Sequence, residues 1–343
     1  MSKKLGRSSI ELSNCPVIKA SAAIVGKKEG EGPLKDEFDF INEDTSFSQE
    51  TWEKAESEMV KEAVSTAINK ASLEPKDIEF IFSGDLLNQC IGSTYGIREL
   101  EIPFVGMYGA CSTMAESLIM ASLFVDNKLA NNAVAVTSSH FCSAERQFRF
   151  PLEYGGQRTP TAQWTATASG AAVVSDEEKE GSNVYVRAVC IGSIKDLGVT
   201  DANNMGAAMA PAAAYTIKTF LQDSKSKPSD YDLILTGDLG QVGKELLIEL
   251  LLKDNISISK NHNDCGLMLY DMEKQDVHAG GSGCGCSASV LCSHILRRMR
   301  NGELKNVLFI ATGALMSPTS VQQGESIPGI AHLVYLSTEK GGR

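Results

Sequence analysis

Apolar positions along the chain fall into two recurring patterns. Trp52, Ala55, Met59, Ala63, Ala67 and Ala71 return every three or four residues, which predicts a helix with one buried face. The segments AVAVTSS (133–139) and VLFIATG (307–313) read as short unbroken runs rather than alternating ones, as strands covered on both faces do. The pattern then repeats. Pro75-x-Asp77 through Leu86 matches Pro228-x-Asp230 through Leu239 at an offset of 153, and Ala110-Cys111-Ser112 matches Gly285-Cys286-Ser287 at 175. A third match, Asn132–Val136 with Asn306–Ile310, stands at 174. Matches in one order at nearly one offset predict duplicated halves, with extra residues in the second copy near 240–280. Helix, strand, helix, strand within each half calls for crossover connections and a mostly parallel sheet covered by helices. Two such βαβ halves, 1–180 and 181–343, pack as a five-layered α-β-α-β-α fold of the α/β class, with a ligand cleft between them. The charged stretch 175–183 suits the connection, and residues 138–170 form a longer excursion than their second-half counterpart.

Composition narrows the functions. A length of 343 residues suffices for two cores. A net charge of −11 argues against a protein that binds the phosphate backbone of nucleic acid. No apolar run reaches the ~20 residues of a membrane span, and MSKKLGRSSI has no apolar stretch behind its basic residues, so a soluble, cytoplasmic chain is expected. Nine cysteines, odd in number and scattered, read as thiols.

Cys111 stands where small residues give way to an apolar helical run. A thiol at a helix start feels the positive end of the dipole, which lowers its pKa and makes it a candidate nucleophile. A buried cysteine acting as a small hydrophobe is the competing reading, and the spacing alone leaves both open. Ser138, Ser139 and His140 end one central strand and Thr312 lies near the end of another, so all four are candidates for the cleft. His262 and His278 fall in the second-half insertion. Cys284-x-Cys286 has no second ligand pair and His262/Cys265 stands alone, so no metal site is expected. Gly281-x-Gly283-x-Gly285 lacks the register of a dinucleotide loop, and Gly243-Lys244-Glu245 that of a phosphate loop. Arg146 and Arg149 lie beside aromatics in the first-half excursion, where they suit either an anion site or surface ion pairs.

The duplicated halves with Gly-Ala-Cys-Ser at a helix start resemble the thiolase superfamily, ketoacyl synthases included. More narrowly, SGDLLNQ, YGACS, AERQFRFPLEYGGQ, DLGVTDANNMGAAMAPAAA, AGGSGCGCSA and ATGALMSPTSVQQGESIPGIAH resemble the stage V sporulation protein AD family, from about residue 80 to 332. That resemblance implies a thiolase-like fold and binding of dipicolinic acid, pyridine-2,6-dicarboxylate, during its uptake into the developing spore. It also implies membrane-protein partners, a peripheral place at the forespore inner membrane and a homodimer. It leaves open whether calcium accompanies the ligand, and it implies no further cofactor. The departures from an acyltransferase carry more weight. Where ketoacyl synthases place a histidine motif this chain has Leu235-Thr236-Gly237-Asp238-Leu239, and where they place Asn or His it has Cys284. A thiol cannot replace an imidazole base or an amide donor. Cys111 thus reads as a vestigial nucleophile, with Cys111, Ser138, Ser139, His140, Arg146, Arg149, His262, Cys284, Cys286 and Thr312 as ligand-binding candidates. The alternative is an acyl-thioester transferase or condensing enzyme that uses Cys111 with a rearranged base. Helix ends supply part of the field a dianion needs. Half a charge about 5 Å from a carboxylate contributes roughly 1.7 kcal/mol at an effective dielectric of about 20, before desolvation.

Overall fold

The computed structural model describes residues 2–148, 158–178, 181 and 183–341, and its elements come in two matching sets. Strands β1 (Val17–Gly26), β2 (Phe80–Gly84), β3 (Phe104–Gly106), β4 (Asn132–Ser139) and β5 (Ala168–Ser175) lie in the order β1-β5-β4-β2-β3. Strands β6 (Tyr185–Cys190), β7 (Leu233–Thr236), β8 (His262–Asp264), β9 (Asn306–Ala314) and β10 (Gly329–Ser337) repeat it as β6-β10-β9-β7-β8. Tyr185 pairs with Val17 where the two sets meet. Both sheets are mixed. Three strands of each run parallel, and the pairs β1-β5, β5-β4, β6-β10 and β10-β9 are antiparallel. The expectation of a mostly parallel sheet therefore holds for three strands per half. Strands buried on both faces carry the same unbroken apolar runs whichever way they point, so composition could not separate the two cases.

Helix α1 (Trp52–Lys70) buries Ala55, Met59, Ala63 and Ala67 against β1, β5 and β4, with Thr51 as its N-cap. Helices α2 (Thr113–Asp126) and α6 (Cys284–Val290, continued by helical turns to Arg300) lie between the sheets. On the far side, α4 (Met205–Ser224) covers β9 and β10, and α5 (Gly240–Lys253) packs on α4. The Met- and Ala-rich stretch after residue 204 is thus helix packing, with Ala208, Met209, Ala210, Ala212 and Ala213 all buried. Two short helices complete the site region, α3 (Phe141–Phe148) and α7 (Pro318–Gln322).

Two details position the site. A Cβ on Gly285 would stand 2.2 Å from the Ala168 carbonyl oxygen, and one on Gly170 would stand 2.4 Å from the Ala288 backbone. Gly285 at the start of α6 and Gly170 in β5 therefore serve close approach of that helix to that strand. The first-half excursion also reaches across the molecule, because Trp164–Thr165 pairs in parallel with Gly281–Ser282 of the second half. All nine cysteines are free. Among the described residues no helix is long and apolar enough to cross a membrane.

Candidate functional site

Cys111 sits in a single tight turn, Ala110–Ser112, that leads into α2. Ala110 is held at a φ of +51, a region that costs a residue with a side chain about 1 kcal/mol or more. The hydroxyls of Ser112 and Thr113 fix the turn by donating to the Gly109 and Ala110 carbonyls, each at 2.6 Å. The thiol they present is buried and faces the carboxyl of Asp238, just past the end of β7. Asp238 is enclosed by donors. Thr312 Oγ1 gives it a hydrogen bond of 2.7 Å, the Gly283 N–H one of 2.9 Å and Ser282 Oγ one of 3.3 Å.

The electrostatics run against a nucleophile. Burial lifts Asp238 to about 7 in spite of those donors. Burial also pushes the Cys111 thiol well above its usual range, and the Asp238 carboxyl, which accepts the thiol proton, pushes it further. The dipole argument from sequence predicts a lowered pKa. It is outweighed because a helix end carries only about half a charge, against the cost of burying a thiolate and, after that, the Asp238 carboxyl that accepts from the thiol.

No imidazole stands by to compensate. His140 presents Nε2 to the Thr45 carbonyl at 2.8 Å and stacks on Trp52. His262 lies beside Thr236 Oγ1 at 3.0 Å, and burial takes it down to about 3. His332 meets the Gly192 N–H, His278 the Thr159 carbonyl, and His294 lies 3.5 Å from Glu37.

A cavity of about 420 Å³ opens above the sulfur. Leu86, Ala144 and Cys284 cluster with Cys111 at its base, and the Cys284 thiol donates to the Ser138 carbonyl at 2.9 Å. Phe148 and Glu145 of α3 form one wall, and Met316, Ser317 and Ser320 around α7 form the facing one. The two halves thus close on one another through the segments that follow their equivalent strands β4 and β9. Glu145 is buried and accepts from Thr165 Oγ1 at 2.7 Å.

Of the sequence candidates, Cys111, Cys284 and Thr312 come together here, Thr312 through Asp238. The other described candidates do not reach the cavity. Ser138 donates to Glu56 at 2.9 Å and Ser139 to the Ala166 carbonyl at 2.7 Å. Arg146 is exposed and ion-paired with Glu53 of α1. Cys286 is buried within α6, its sulfur 4.0 Å from the Gly237 carbonyl. Arg149 lies outside the described residues. Sequence reasoning missed Asp238 as a partner for the thiol, although its repeat mate Asp85 marked the position, and it missed Tyr108, Met205, Ser317 and Ser320 in the lining.

Asp85 belongs to a second buried acidic group. It accepts from the Leu87 and Ser93 N–H groups at 2.8 and 2.7 Å, while Glu56 accepts from Ser138 and from Ser143 at 2.7 Å. Burial, and then the charge of Asp85, raise Glu56 to about 8. A carboxyl raised in the folded state keeps a proton that the unfolded chain has lost, so stability falls as pH rises between the two values. For Glu56 that window runs from 4.5 to about 8, and for Asp238 from 3.8 to about 7. The melting midpoint is expected to drop between pH 5 and pH 8. Glu56→Gln should flatten part of the drop, because Ser143 can turn its hydroxyl to the His140 carbonyl, 3.1 Å away, and accept from the amide. A midpoint that rises with pH across this range in wild type would contradict the assignment.

Comparison with known proteins gives the family and the fold. The family model for stage V sporulation protein AD matches residues 6–337. Stage V sporulation protein AD of Bacillus subtilis (strain 168) is 45% identical over 324 residues, covering 94% of this chain and 95% of that protein. Among solved structures, 3-oxoacyl-[acyl-carrier-protein] synthase III from Aquifex aeolicus VF5 superposes with a TM-score of 0.55 at 13% identity, over 94% of this chain and 99% of that one. Human mitochondrial 3-ketoacyl-CoA thiolase in complex with CoA gives 0.57 at 11%, over 97% and 100%. At such identities these structures establish the fold, which is thiolase-like.

Proposed function

The chain belongs to the stage V sporulation protein AD family, and from that premise we propose that it is a non-catalytic receptor for dipicolinate, acting in uptake of that ligand during sporulation. The observation that carries the reading is the pairing of the Cys111 thiol with the buried carboxyl of Asp238 where an acylating enzyme needs an imidazole. Such a pair, with the thiol pushed well above its usual range, disfavours a thiolate near neutral pH. A neutral thiol, in turn, does not repel a bound carboxylate.

The cavity supports a flat ligand. Its volume lies within the range of small-molecule sites, and it combines Leu86, Phe148 and Met316 with the hydroxyls of Tyr108, Ser317 and Ser320, a slot with donors at its rim. Arg149, next in sequence to Phe148, is the natural fork for one of the two carboxylates. The receptor works as a homodimer joined along β3, an edge strand that exposes Phe104 and Val105. It sits peripherally at the forespore inner membrane and passes ligand to membrane proteins of the same system.

Titration calorimetry with dipicolinate, with and without calcium, tests the reading against pyridine-2-carboxylate and acyl-CoA. The expected result is heat with dipicolinate, at least about tenfold weaker binding of the monocarboxylate because one charge-assisted pair is lost, and no adduct. A stable acyl adduct on Cys111 would instead identify a condensing enzyme, and no heat with dipicolinate would remove the receptor.

A further inference from the structure

The segment that leaves β6 holds an apolar row in the open. Ile191, Ile194 and Leu197 are 44%, 62% and 70% exposed, three residues apart on a stretch that forms no helix. Their backbone is nevertheless tied down. The Ile191 N–H donates to the Ser8 carbonyl at 3.1 Å, Lys195 and Gly329 exchange hydrogen bonds of 2.9 and 2.7 Å, and the Ile327 N–H donates to the Val199 carbonyl at 2.7 Å. These side chains are held outward by an ordered chain. Large aliphatic groups fixed in that way mark a surface that something else covers.

Charge indicates what covers it. Ser8 belongs to the N-terminal ribbon, in which Lys3–Lys4 pairs with Ser9–Glu11, and Ser9–Glu11 pairs in turn with β6. That ribbon exposes Lys3, Lys4 and Arg7, and among the described residues none of the three makes an ion pair or a side-chain hydrogen bond. Lys4 and Arg7 line one groove of about 600 Å³ with Ile191, Ser2 and Ser8. Asp196, the acid within the row, is exposed and is held by local contacts, accepting from Ser326 Oγ at 2.5 Å and the Gly198 N–H at 2.8 Å. In a chain of net charge −11, three cations without an ion pair on one ribbon, two of them beside Ile191, gather positive charge at the edge of the row. An apolar protein partner would account for the row alone, whereas an anionic lipid surface accounts for both.

We infer that this face lies on an anionic phospholipid membrane, with Ile191, Ile194 and Leu197 entering the headgroup layer and Lys3, Lys4 and Arg7 meeting lipid phosphates. The inference rests on the peripheral-membrane part of the proposed function and not on the ligand. Co-sedimentation of the full chain with phosphatidylglycerol/phosphatidylcholine vesicles tests it, against pure phosphatidylcholine and at low and high salt. The expected result is binding to the anionic vesicles only, weakened by salt. A cation near such a surface is worth about fivefold, so the triple variant Lys3→Glu, Lys4→Glu, Arg7→Glu should bind at least about a hundredfold more weakly. The double variant Ile194→Glu, Leu197→Glu should lose at least about tenfold, with melting midpoints unchanged in both.

Failure to bind anionic vesicles, equal binding to neutral ones, or full binding by both variants would overturn the inference. So would a dimer that the double variant dissolves in the absence of any vesicle binding, which would assign the face to a second copy. Calorimetry with dipicolinate on the same variants separates the two readings. Lost vesicle binding with ligand heat intact is the expected pattern for the variants. A wild-type chain that takes ligand and ignores lipid sinks only the membrane face, and one that binds vesicles and gives no heat sinks only the cavity.

Discussion

Asp238→Ala is expected to cost about 3–5 kcal/mol of folding stability, and Cys111→Ala no more than about 1–2 kcal/mol. The carboxyl is the acceptor for Thr312, the Gly283 N–H, Ser282 and the thiol, all of them buried groups. Its removal strands several buried donors at once, and each stranded donor costs about 1–3 kcal/mol. The thiol is a small buried group that gives one weak hydrogen bond, so its loss leaves a small void and little else. Urea unfolding of the two variants compares these costs, and calorimetry asks whether Cys111→Ala keeps dipicolinate affinity within about threefold, as a non-catalytic sulfur requires. The reverse order, a tolerant Asp238 and a Cys111 whose loss abolishes function, would restore the inherited nucleophile to its role.

How much of this was readable beforehand differs by feature. The duplication could be read directly, because three pairs of short strings recur in order. The observed strand orders β1-β5-β4-β2-β3 and β6-β10-β9-β7-β8 are the structural form of that repeat. Strand direction was not readable, since it is set by how the chain returns from β4 to β5 and from β9 to β10. The absence of a histidine motif in Leu235–Leu239 was visible, but the chemistry that replaces it was not. Asp238 looked like one acid among 43, and only burial beside Cys111 gives it meaning. His140, Ser138 and Ser139 lie at the end of the right strand, yet β4 turns them toward Thr45, Glu56 and Ala166. Alternation along a strand decides which side a residue faces, and a candidate chosen by position at a strand end carries no information on that side.

Ala144→Trp is expected to weaken dipicolinate binding at least a hundredfold, which amounts to about 2.7 kcal/mol. Ala144 is buried on α3 and faces Leu86, Cys111 and Cys284 at the base of the cavity. An indole at that position projects into the space above the sulfur, where a flat ring would lie, and away from the Glu56 hydrogen bond that Ser143 makes from the same helix. Overpacking a site that already contains open volume costs less than overpacking a closed core, so the fold should lose no more than about 1–3 kcal/mol. Calorimetry reads the affinity and urea unfolding reads the fold. The conservative change Ala144→Ser separates bulk from polarity, since a hydroxyl leaves the space open and should keep affinity within about fivefold. If Ala144→Trp binds dipicolinate as wild type does while remaining folded, the ligand lies outside the cleft. The cavity between the halves would then be only a remnant of the fold, and the receptor surface would have to be sought elsewhere on the molecule.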